Sequence, residues 1–278
     1  MDMLSEKTAM GENNAPIRAP TDWRTVDFIS DLHLQISQTA TLAAWQHYIA
    51  HTPADALFIL GDLFEVWVGD DITHTPTTAD GAFALHCQHL LQATTQRLPV
   101  YFIHGNRDFL LGEAFAQNCG MTLLGDPSVL EFDGQRWLLS HGDALCLADV
   151  DYQKFRQLVR SKTWQTEFLA KPLSERQAIA QSLREQSQLL KATGASYADA
   201  DTSMTRQWLQ TTQTTTLIHG HTHHPADHSL GHSPTGTALH RLVLSDWDAH
   251  AIPPRLEVLR LSRGDKPKRL NIDQATHP

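Results

Sequence analysis

The chain of 278 residues holds 22 basic and 31 acidic side chains, which gives a formal net charge of −9. This acidic balance argues against broad nucleic-acid binding, and the length suits one large α/β domain with a buried core. No run approaches the ~20 apolar residues that span a bilayer, and three scattered cysteines indicate a reducing cytoplasm.

Five apolar runs predict buried strands, and each is followed at once by residues of the kinds that bind metals. The runs lie at residues 26–30, 56–60, 100–104, 137–140 and 216–219. Helical patterns after the first three runs favour βαβ units and a largely parallel sheet. Asp133-Gly134, which stands between two apolar runs, predicts a β-hairpin.

Residues 148–201 have a helical pattern, and they are inserted between two of the metal-binding fragments. We therefore expect them to form a cap on a catalytic core. The expected divisions are a flexible leader at 1–22, a core at 23–147 and 206–262, the helical cap at 148–205 and a flexible tail at 263–278. The cap is rich in lysine and arginine, which suits a substrate with phosphates. A solvated helix face explains the same composition equally well.

The metal-binding fragments are short and follow one another in a fixed order. They are Asp31-Leu32-His33, Gly61-Asp62, Gly105-Asn106-Arg107-Asp108, His141-Gly142-Asp143 and Gly220-His221-Thr222-His223. Side chains just past the ends of adjacent strands converge on one rim of a sheet. One such fragment alone would indicate a turn or a core histidine. Five in order, rich in carboxylates and imidazoles, indicate a hydrolytic centre with two divalent metal ions.

The seven candidate ligands divide into two sets that share Asp62. This residue stands alone after its strand, as expected of a carboxylate that bridges two ions. The first set is Asp31, His33, Asp62 and His223, and the second is Asp62, Asn106, His141 and His221. Two ions about 3.5–4 Å apart lower the pKa of a shared water and hold a phosphoryl group from two sides.

The order of these fragments resembles that of the calcineurin-like metallophosphoesterase superfamily. Longer segments resemble the branch of it that cleaves the diphosphate of UDP-2,3-diacylglucosamine in lipid A biosynthesis. The segments are SDLHL (30–34), ILGDLFE (59–65), WVGDD (67–71), YFIHGNRDFLLG (101–112), SHGD (140–143) and IHGHTHHP (218–225). The resemblance extends from about residue 25 to residue 261, and GNRDFLLG is its most specific part.

The resemblance implies a four-layer αββα sandwich with an inserted helical cap, two Mn²⁺ ions per chain, and a peripheral position on the cytoplasmic face of the inner membrane. It implies hydrolysis of the lipid-linked UDP-sugar to UMP and 2,3-diacylglucosamine 1-phosphate (lipid X), by attack of a metal-bridging hydroxide on the α-phosphate. A nucleotide-sugar pyrophosphatase or a general phosphodiesterase with the same dinuclear site is the alternative.

The resemblance also implies roles for individual residues. The implied metal ligands are Asp31, His33, Asp62, Asn106, His141, His221 and His223. The implied catalytic residues are Asp62, Asn106, Arg107 and His141, and the implied substrate contacts are Asn106, Arg107, Asp149, Ser187, Lys191 and His221. No second lysine follows Lys191 at the spacing of the family, so an ordinary surface lysine is an equal alternative there.

Two further groups of residues allow two interpretations each. Trp164, Phe168 and Leu169 either line a groove for acyl chains or form a small core within the cap. The Asp70-Asp71 pair either caps a helix or shapes the mouth of the site. The sequence leaves the oligomeric state open.

Overall fold

Twelve strands of the described residues lie in two six-stranded sheets. The structure is a computed structural model, and it describes residues 15–192 and 198–277. The strands are β1 (Ile17–Arg18), β2 (Thr25–Ile29), β3 (Ala56–Ile59), β4 (Val100–Ile103), β5 (Thr122–Leu124), β6 (Ser128–Phe132), β7 (Gln135–Leu139), β8 (Thr216–His219), β9 (Ala226–His232), β10 (Ala238–Val243), β11 (Glu257–Ser262) and β12 (Lys268–Asn271). The first sheet has the order β12-β11-β2-β3-β4-β5, and the second has the order β1-β6-β7-β8-β10-β9.

Eight α-helices connect or flank these strands in the described residues. They are α1 (Thr39–His51), α2 (Ala79–Thr95), α3 (Glu113–Cys119), α4 (Val150–Val159), α5 (Lys162–Leu169), α6 (Leu173–Ala192), α7 (Thr202–Thr211) and α8 (Ile272–Ala275). Strands β2 to β5 are parallel, as the alternation of strand and helix predicts. Strands β6 and β7 pair antiparallel around Asp133-Gly134, so the predicted hairpin is also confirmed.

Alternating side chains of the first sheet face two different cores, because successive residues of a strand point to opposite faces. Phe28 and Phe58 stack on each other and pack against the second sheet. Ile29 and Ile59, the next residue in each strand, pack instead against the helical layer that includes α1, α2 and α3. The first sheet is therefore buried on both faces, which explains why its central strands β3 and β4 are continuous apolar runs.

The outer face of the second sheet is covered by a single helix of the described chain. Leu138 and Leu217 of β7 and β8 pack with Leu209 of α7 in a smaller apolar cluster. The layers are thus helices, sheet, sheet and helix. This arrangement confirms the four-layer αββα sandwich.

Both ends of the described chain are more ordered than the sequence indicates. Ile17 and Arg18 form β1, which pairs in parallel with β6, so the leader expected at 1–22 contributes a strand to the second sheet. The tail expected at 263–278 contains β12, which pairs antiparallel with β11, and α8, whose Ala275 is fully buried. The expectation of flexibility is wrong for these segments, because both join sheet edges that the local sequence does not reveal. Residues 1–14 of the predicted leader, and Pro278, lie outside the described residues.

The predicted cap contains α4, α5 and α6, but its predicted C-terminal boundary at 205 falls inside α7. Helix α7 packs on β8 and belongs to the fourth layer of the core. Within the cap, the rings of Trp164 and Phe168 stack with centroids 4.6 Å apart, and Phe168 is buried in the large helical core cluster. Leu169 is exposed. No helix among the described residues is long and apolar enough to cross a bilayer.

Arginines of the cap bind acidic groups and carbonyls of the core. Arg156 Nε donates to Asp143 Oδ2 at 2.8 Å, and Arg160 Nη2 donates to the carbonyl of Gly105 at 2.8 Å. Further along, three more contacts of this kind join α6 to the core: Arg176 with Asp71, Arg176 with the carbonyl of Val68, and Arg184 with Glu65. Much of the positive charge of the cap therefore pairs with the core. The number of lysines and arginines in the cap overstates the positive charge that is free to bind the phosphates of a substrate.

Asp70 and Asp71 have different partners although they are adjacent. Asp70 accepts hydrogen bonds from the backbone N–H groups of Gly112, at 2.8 Å, and Phe115, at 2.9 Å. These N–H groups belong to the start of α3, where they have no partner within the helix. Asp70 therefore caps a helix, whereas Asp71 binds Arg176 of the cap.

A buried ion pair joins the end of the chain to the first core strand. Arg260 Nε and Nη2 lie 2.7 and 2.8 Å from the two carboxylate oxygens of Asp27, which is fully buried in β2. The hydroxyl of Tyr48 donates to the same carboxylate at 2.8 Å, and Arg260 also donates to the carbonyl of Ala275 in α8. This network explains why the C-terminal segment is held on the sheet.

Replacing Arg260 with methionine is expected to lower the free energy of unfolding by about 3–5 kcal/mol, because it leaves the buried carboxylate of Asp27 without its cation. Urea unfolding followed by circular dichroism measures this loss. Lys268→Met, which removes an exposed ion pair with Asp265 in the same C-terminal segment, should change stability by no more than about 1 kcal/mol. Equal effects of the two substitutions would contradict the structural importance of the buried pair.

Candidate metal centre

The five predicted fragments meet on one rim of the sandwich, and they come from both sheets. Three of them follow β2, β3 and β4 of the first sheet, and two follow β7 and β8 of the second. The sequence predicts convergence on the rim of a single sheet, and this expectation is wrong. The physical reason is that the sheets pack face to face, so the ends of their central strands are neighbours in space.

The first predicted ligand set forms a compact group. Asp31 Oδ1 lies 3.3 Å from His223 Nε2, and His33 Nε2 lies 3.3 Å from the same nitrogen. His33 Nε2 also lies 3.9 Å from Asp62 Oδ2. Asp31 and Asp62 are buried, whereas His33 and His223 are partly open to solvent, so one side of the group is accessible.

The second set begins at the same aspartate and extends away from the first. Asp62 Oδ2 lies 3.8 Å from His141 Nε2. The carbonyl oxygen of the Asn106 side chain lies 3.0 Å from His141 Nε2 and 2.8 Å from His221 Nδ1. The structure thus brings all seven predicted ligands into one cluster, with Asp62 between the two halves.

The chemistry of the cluster fits divalent metal ions. Asp31 Oδ1 is buried, and although His223 Nε2 lies 3.3 Å from it, the oxygen forms no hydrogen bond of good geometry with the described residues, as a buried carboxylate oxygen normally does. Groups of three ligand atoms lie within 4.8 Å of one another around Asp31, once with His33 and His223 and once with Asp62 and His141. Ligands bound at about 2.1 Å from one ion lie roughly 3–4 Å apart. The distances of 3.3 Å from His223 Nε2 to Asp31 Oδ1 and to His33 Nε2, and of 3.9 Å from His33 Nε2 to Asp62 Oδ2, agree with this range.

The electrostatic potential at the cluster favours positive charge. Burial acts to lower the pKa of His141, but the neighbouring carboxylates of Asp62, Asp31 and Asp143 outweigh burial and raise the pKa to about 9. Burial acts to raise the pKa of Asp31, yet contact with His223 and the charges of other histidines hold it well below its usual value. A site that stabilises protonated imidazole also stabilises a bound cation.

The backbone at the ligands is unusual. Seven non-glycine residues of the described chain have a positive φ, and five of them are predicted ligands. These five are Asp31, His33, Asp62, His221 and His223, with φ between 48° and 67°. The left-handed region is unfavourable for residues with a Cβ atom and is often found at functional sites. The tight turns allow several side chains from one short loop to reach the same point.

Asp108, the last residue of the third fragment, was not among the predicted site residues, yet it holds two ligand loops together. Its carboxylate accepts hydrogen bonds from the N–H groups of Gly105 at 2.8 Å and Leu63 at 2.7 Å, with longer contacts to those of Asp62 and Phe64. Burial and the charge of Asp62 raise the pKa of Asp108 to about 7. Local sequence patterns cannot reveal this role, because Asp62, Leu63 and Phe64 follow a different strand.

Gly105 allows the third fragment to approach Asp62 closely. A Cβ atom at Gly105 would lie 2.0 Å from Asp62 Oδ1 and 2.3 Å from Asp62 N, which is closer than atoms can approach. The same Oδ1 accepts a hydrogen bond from the backbone N–H of Arg107 at 2.8 Å. The backbone around Gly105 therefore fixes the orientation of the carboxylate shared by the two ligand sets.

The residues that are predicted to contact the substrate have different positions in the structure. Arg107 stands beside Asn106, and its Nε is buried without a hydrogen-bond partner among the described residues. Asp149 caps the N-terminus of α4 by accepting a hydrogen bond from Tyr152 N at 3.1 Å. Ser187 and Lys191 belong to α6, but their side chains lie outside the described part of the chain.

Comparison with known proteins places these observations in a family. Residues 24–225 match the family described as calcineurin-like phosphoesterase. Three relatives are each named UDP-2,3-diacylglucosamine hydrolase. The relative from Aeromonas hydrophila subsp. hydrophila is 47% identical over 223 residues, which are 79% of this chain and 89% of the relative. Those from Stenotrophomonas maltophilia and Chromobacterium violaceum are 42% and 44% identical over 80% of this chain, and this covers 91% and 90% of the relatives.

Gly105→Ala is expected to weaken the binding of divalent metal about tenfold or more, because the added Cβ displaces the carboxylate of Asp62. Calorimetric titration with Mn²⁺ measures this change. The control is Gly134→Ala in the β6–β7 turn, where an added Cβ meets no atom within 4 Å. The control should cost roughly 1 kcal/mol of stability because of its positive φ, yet leave Mn²⁺ affinity unchanged. Wild-type affinity in Gly105→Ala would contradict the placement of Asp62.

Proposed function

The chain belongs to the calcineurin-like phosphoesterase family, and we propose that it hydrolyses the diphosphate bond of UDP-2,3-diacylglucosamine to UMP and 2,3-diacylglucosamine 1-phosphate, as a step of lipid A biosynthesis. The observation that carries this proposal is the meeting of seven ligand-type side chains on one rim of the sandwich. Relatives that carry the name of this hydrolase match about four-fifths of the chain, which supports the choice of substrate.

The family fold implies a divalent metal site, and we propose two Mn²⁺ ions. Asp31, His33 and His223 would hold one ion, and Asn106, His141 and His221 the other, with Asp62 shared. When bound, two such ions supply an activated water for attack on the α-phosphorus and positive charge next to the phosphoryl oxygens.

The residues of the chain would contribute orientation and charge. The Asn106 carbonyl oxygen faces His141 and His221, which leaves its amide N–H groups for a phosphoryl oxygen. Arg107 would bind a second oxygen of the diphosphate, because its planar guanidinium matches phosphate and its Nε has no partner among the described side chains. His221 and Asp149 lie at the cap side of the site, and we propose that they contact the substrate. We extend this proposal to Ser187 and Lys191 on the resemblance alone.

The chemistry of the leaving group agrees with a site that consists of metal ligands and an arginine. A sugar 1-phosphate leaves as an anion, so the site needs positive charge around the diphosphate more than it needs a strong proton donor. In this reaction the most important residues would be those that bring positive charge to the diphosphate, namely the metal ligands and Arg107. No general acid is required in the proposal.

A nucleotide-sugar pyrophosphatase with the same centre is the second candidate, and the absence of the expected second lysine after Lys191 favours it. The experiment that separates the two is an assay of purified protein with Mn²⁺ and either UDP-2,3-diacylglucosamine or UDP-N-acetylglucosamine, which lacks the acyl chains. UMP release from the acylated substrate alone supports the first proposal. Comparable rates with both substrates would support the second.

Asp62→Ala and His141→Ala are each expected to reduce UMP release about a thousandfold or more, because each removes several kcal/mol of charge stabilisation at the diphosphate. Circular dichroism should show a retained fold. The matched control is His86→Ala, which changes an exposed histidine of α2 and should leave the rate unchanged. Full activity in either of the first two variants would overturn the bridging role proposed for Asp62 and its partner His141.

We also propose that the cap touches the cytoplasmic face of the inner membrane, since the proposed substrate is a lipid. Val150 and Leu158, two turns apart on α4, are each 56% exposed. Leu147, three residues before Val150, is also exposed, and Lys154, which lies 3.3 Å from the exposed Asp151, stands between Val150 and Leu158 on the same face of the helix. Apolar side chains flanked by a lysine suit shallow insertion into an anionic lipid surface.

Replacing both Val150 and Leu158 with glutamate is expected to reduce binding to phosphatidylethanolamine–phosphatidylglycerol vesicles about tenfold or more, because the change removes apolar contact and adds repulsion. Co-sedimentation measures the bound fraction. Ile252→Glu is the control, because Ile252 is 99% exposed but lies outside the cap. An equal loss in the control, or no loss in the double variant, would exclude α4 as the contact surface.

A further inference from the structure

Glu65 lies between the predicted metal ligand His33 and the cap, and it belongs to neither of the two ligand sets. The loops after β2 and β3 run side by side, with hydrogen bonds from Leu34 N to Leu63 O at 2.9 Å and from Glu65 N to Leu34 O at 3.2 Å. This pairing places Glu65 beside His33. The Glu65 side chain is only 13% exposed, so its carboxylate needs partners.

The first partner is the imidazole of His33. Glu65 Oε2 lies 2.9 Å from His33 Nδ1, whereas Nε2 of the same ring faces Asp31, Asp62 and His223 in the proposed metal centre. A carboxylate at one ring nitrogen keeps the proton there and directs the lone pair of the other nitrogen outward. Metal-binding histidines commonly have such a partner.

The second partner belongs to the cap. Glu65 Oε1 lies 3.1 Å from Arg184 Nε, and Arg184 Nη2 donates to the side-chain oxygen of Gln35 at 3.0 Å. Arg184 is on α6. The carboxylate of Glu65 therefore contacts the imidazole of a predicted metal ligand and the guanidinium of a cap arginine at the same time.

We propose that Glu65 is a positioning residue that couples the docking of α6 through Arg184 to metal binding at His33. The inference rests on the proposed metal centre and adds a connection between that centre and the cap. Coupling of two equilibria is reciprocal. Metal at His33 should therefore tighten the docking of α6, and loss of the Arg184 contact should weaken metal binding.

Another contact of the same helix provides a matched control. Arg176, two turns before Arg184 on α6, binds Asp71, which touches none of the seven predicted ligands in the described structure. Asp71→Asn removes the charge from that ion pair and keeps the side-chain shape. It therefore loosens the cap without changing the partners of Glu65.

The experiment measures Mn²⁺ affinity by calorimetry in the full chain and four variants, with thermal unfolding by circular dichroism to establish that each is folded. Glu65→Ala should weaken one Mn²⁺ site about 10–100-fold, the usual effect of removing a group that orients a metal ligand. Glu65→Gln should weaken it less, because the amide oxygen can still accept a hydrogen bond from His33. Arg184→Met should weaken the site several-fold, and Asp71→Asn should leave it unchanged.

Hydrogen exchange tests the reciprocal effect. Mn²⁺ should slow amide exchange in α6 of the wild-type protein and of Asp71→Asn, but not of Arg184→Met. Unchanged Mn²⁺ affinity in Glu65→Ala would overturn the positioning role, and equal behaviour of Arg184→Met and Asp71→Asn would overturn the coupling to the cap. Failure of the wild-type protein to bind divalent metal would instead overturn the proposed centre, and this inference with it.

Discussion

The crowding of carboxylates and imidazoles at the ends of five strands is the constraint on which the rest of the structure depends. Buried carboxylates have lost their hydration and need compensating positive charge, which protonated imidazoles or a bound cation can supply. The surrounding structure is built to hold this arrangement. Gly105 allows the closest approach to Asp62, and Asp108 fixes two loops through their backbone N–H groups. Five of the predicted ligands have a left-handed backbone, which is unfavourable for residues with a Cβ atom and is often found at functional sites.

The cap docks on the same rim of the sandwich. Its arginines bind groups that belong to, or lie beside, the ligand loops, such as the carbonyl of Gly105 and the carboxylates of Asp143 and Glu65. The helical insertion therefore contacts the loops that carry the predicted ligands directly. Substrate binding between cap and core would therefore affect the order of the metal centre as well as access to it.

The central strands and their ligand fragments could be predicted because the information is local. An apolar run that is followed within three residues by Asp or Asn predicts a buried strand and a polar side chain beyond its end, and β2, β3 and β4 follow this rule. The two sheet edges could not be predicted in this way. The short strands β1 and β12 contain no apolar run, and they pair with backbone groups of β6 and β11 that are brought into reach only by folding.

The roles of single polar residues also divide into those that local sequence predicts and those that depend on distant segments. Asp62 could be predicted from its strand, whereas Asp108 and Glu65 matter through partners that follow other strands or lie in the cap. The basic composition of the cap indicated phosphate binding or a solvated face, yet Arg156 and Arg176 form ion pairs with the core. Charge composition does not specify which partner an arginine meets, because that depends on how distant segments pack.

The most direct test of this account is a crystal structure of the protein grown with Mn²⁺, with anomalous diffraction recorded at the manganese edge. We expect two anomalous peaks about 3.5–4 Å apart, one on each side of the Asp62 carboxylate. One peak should lie between Asp31, His33 and His223, and the other between Asn106, His141 and His221. A map with no peak among these side chains, or with metal bound only elsewhere, would contradict the account.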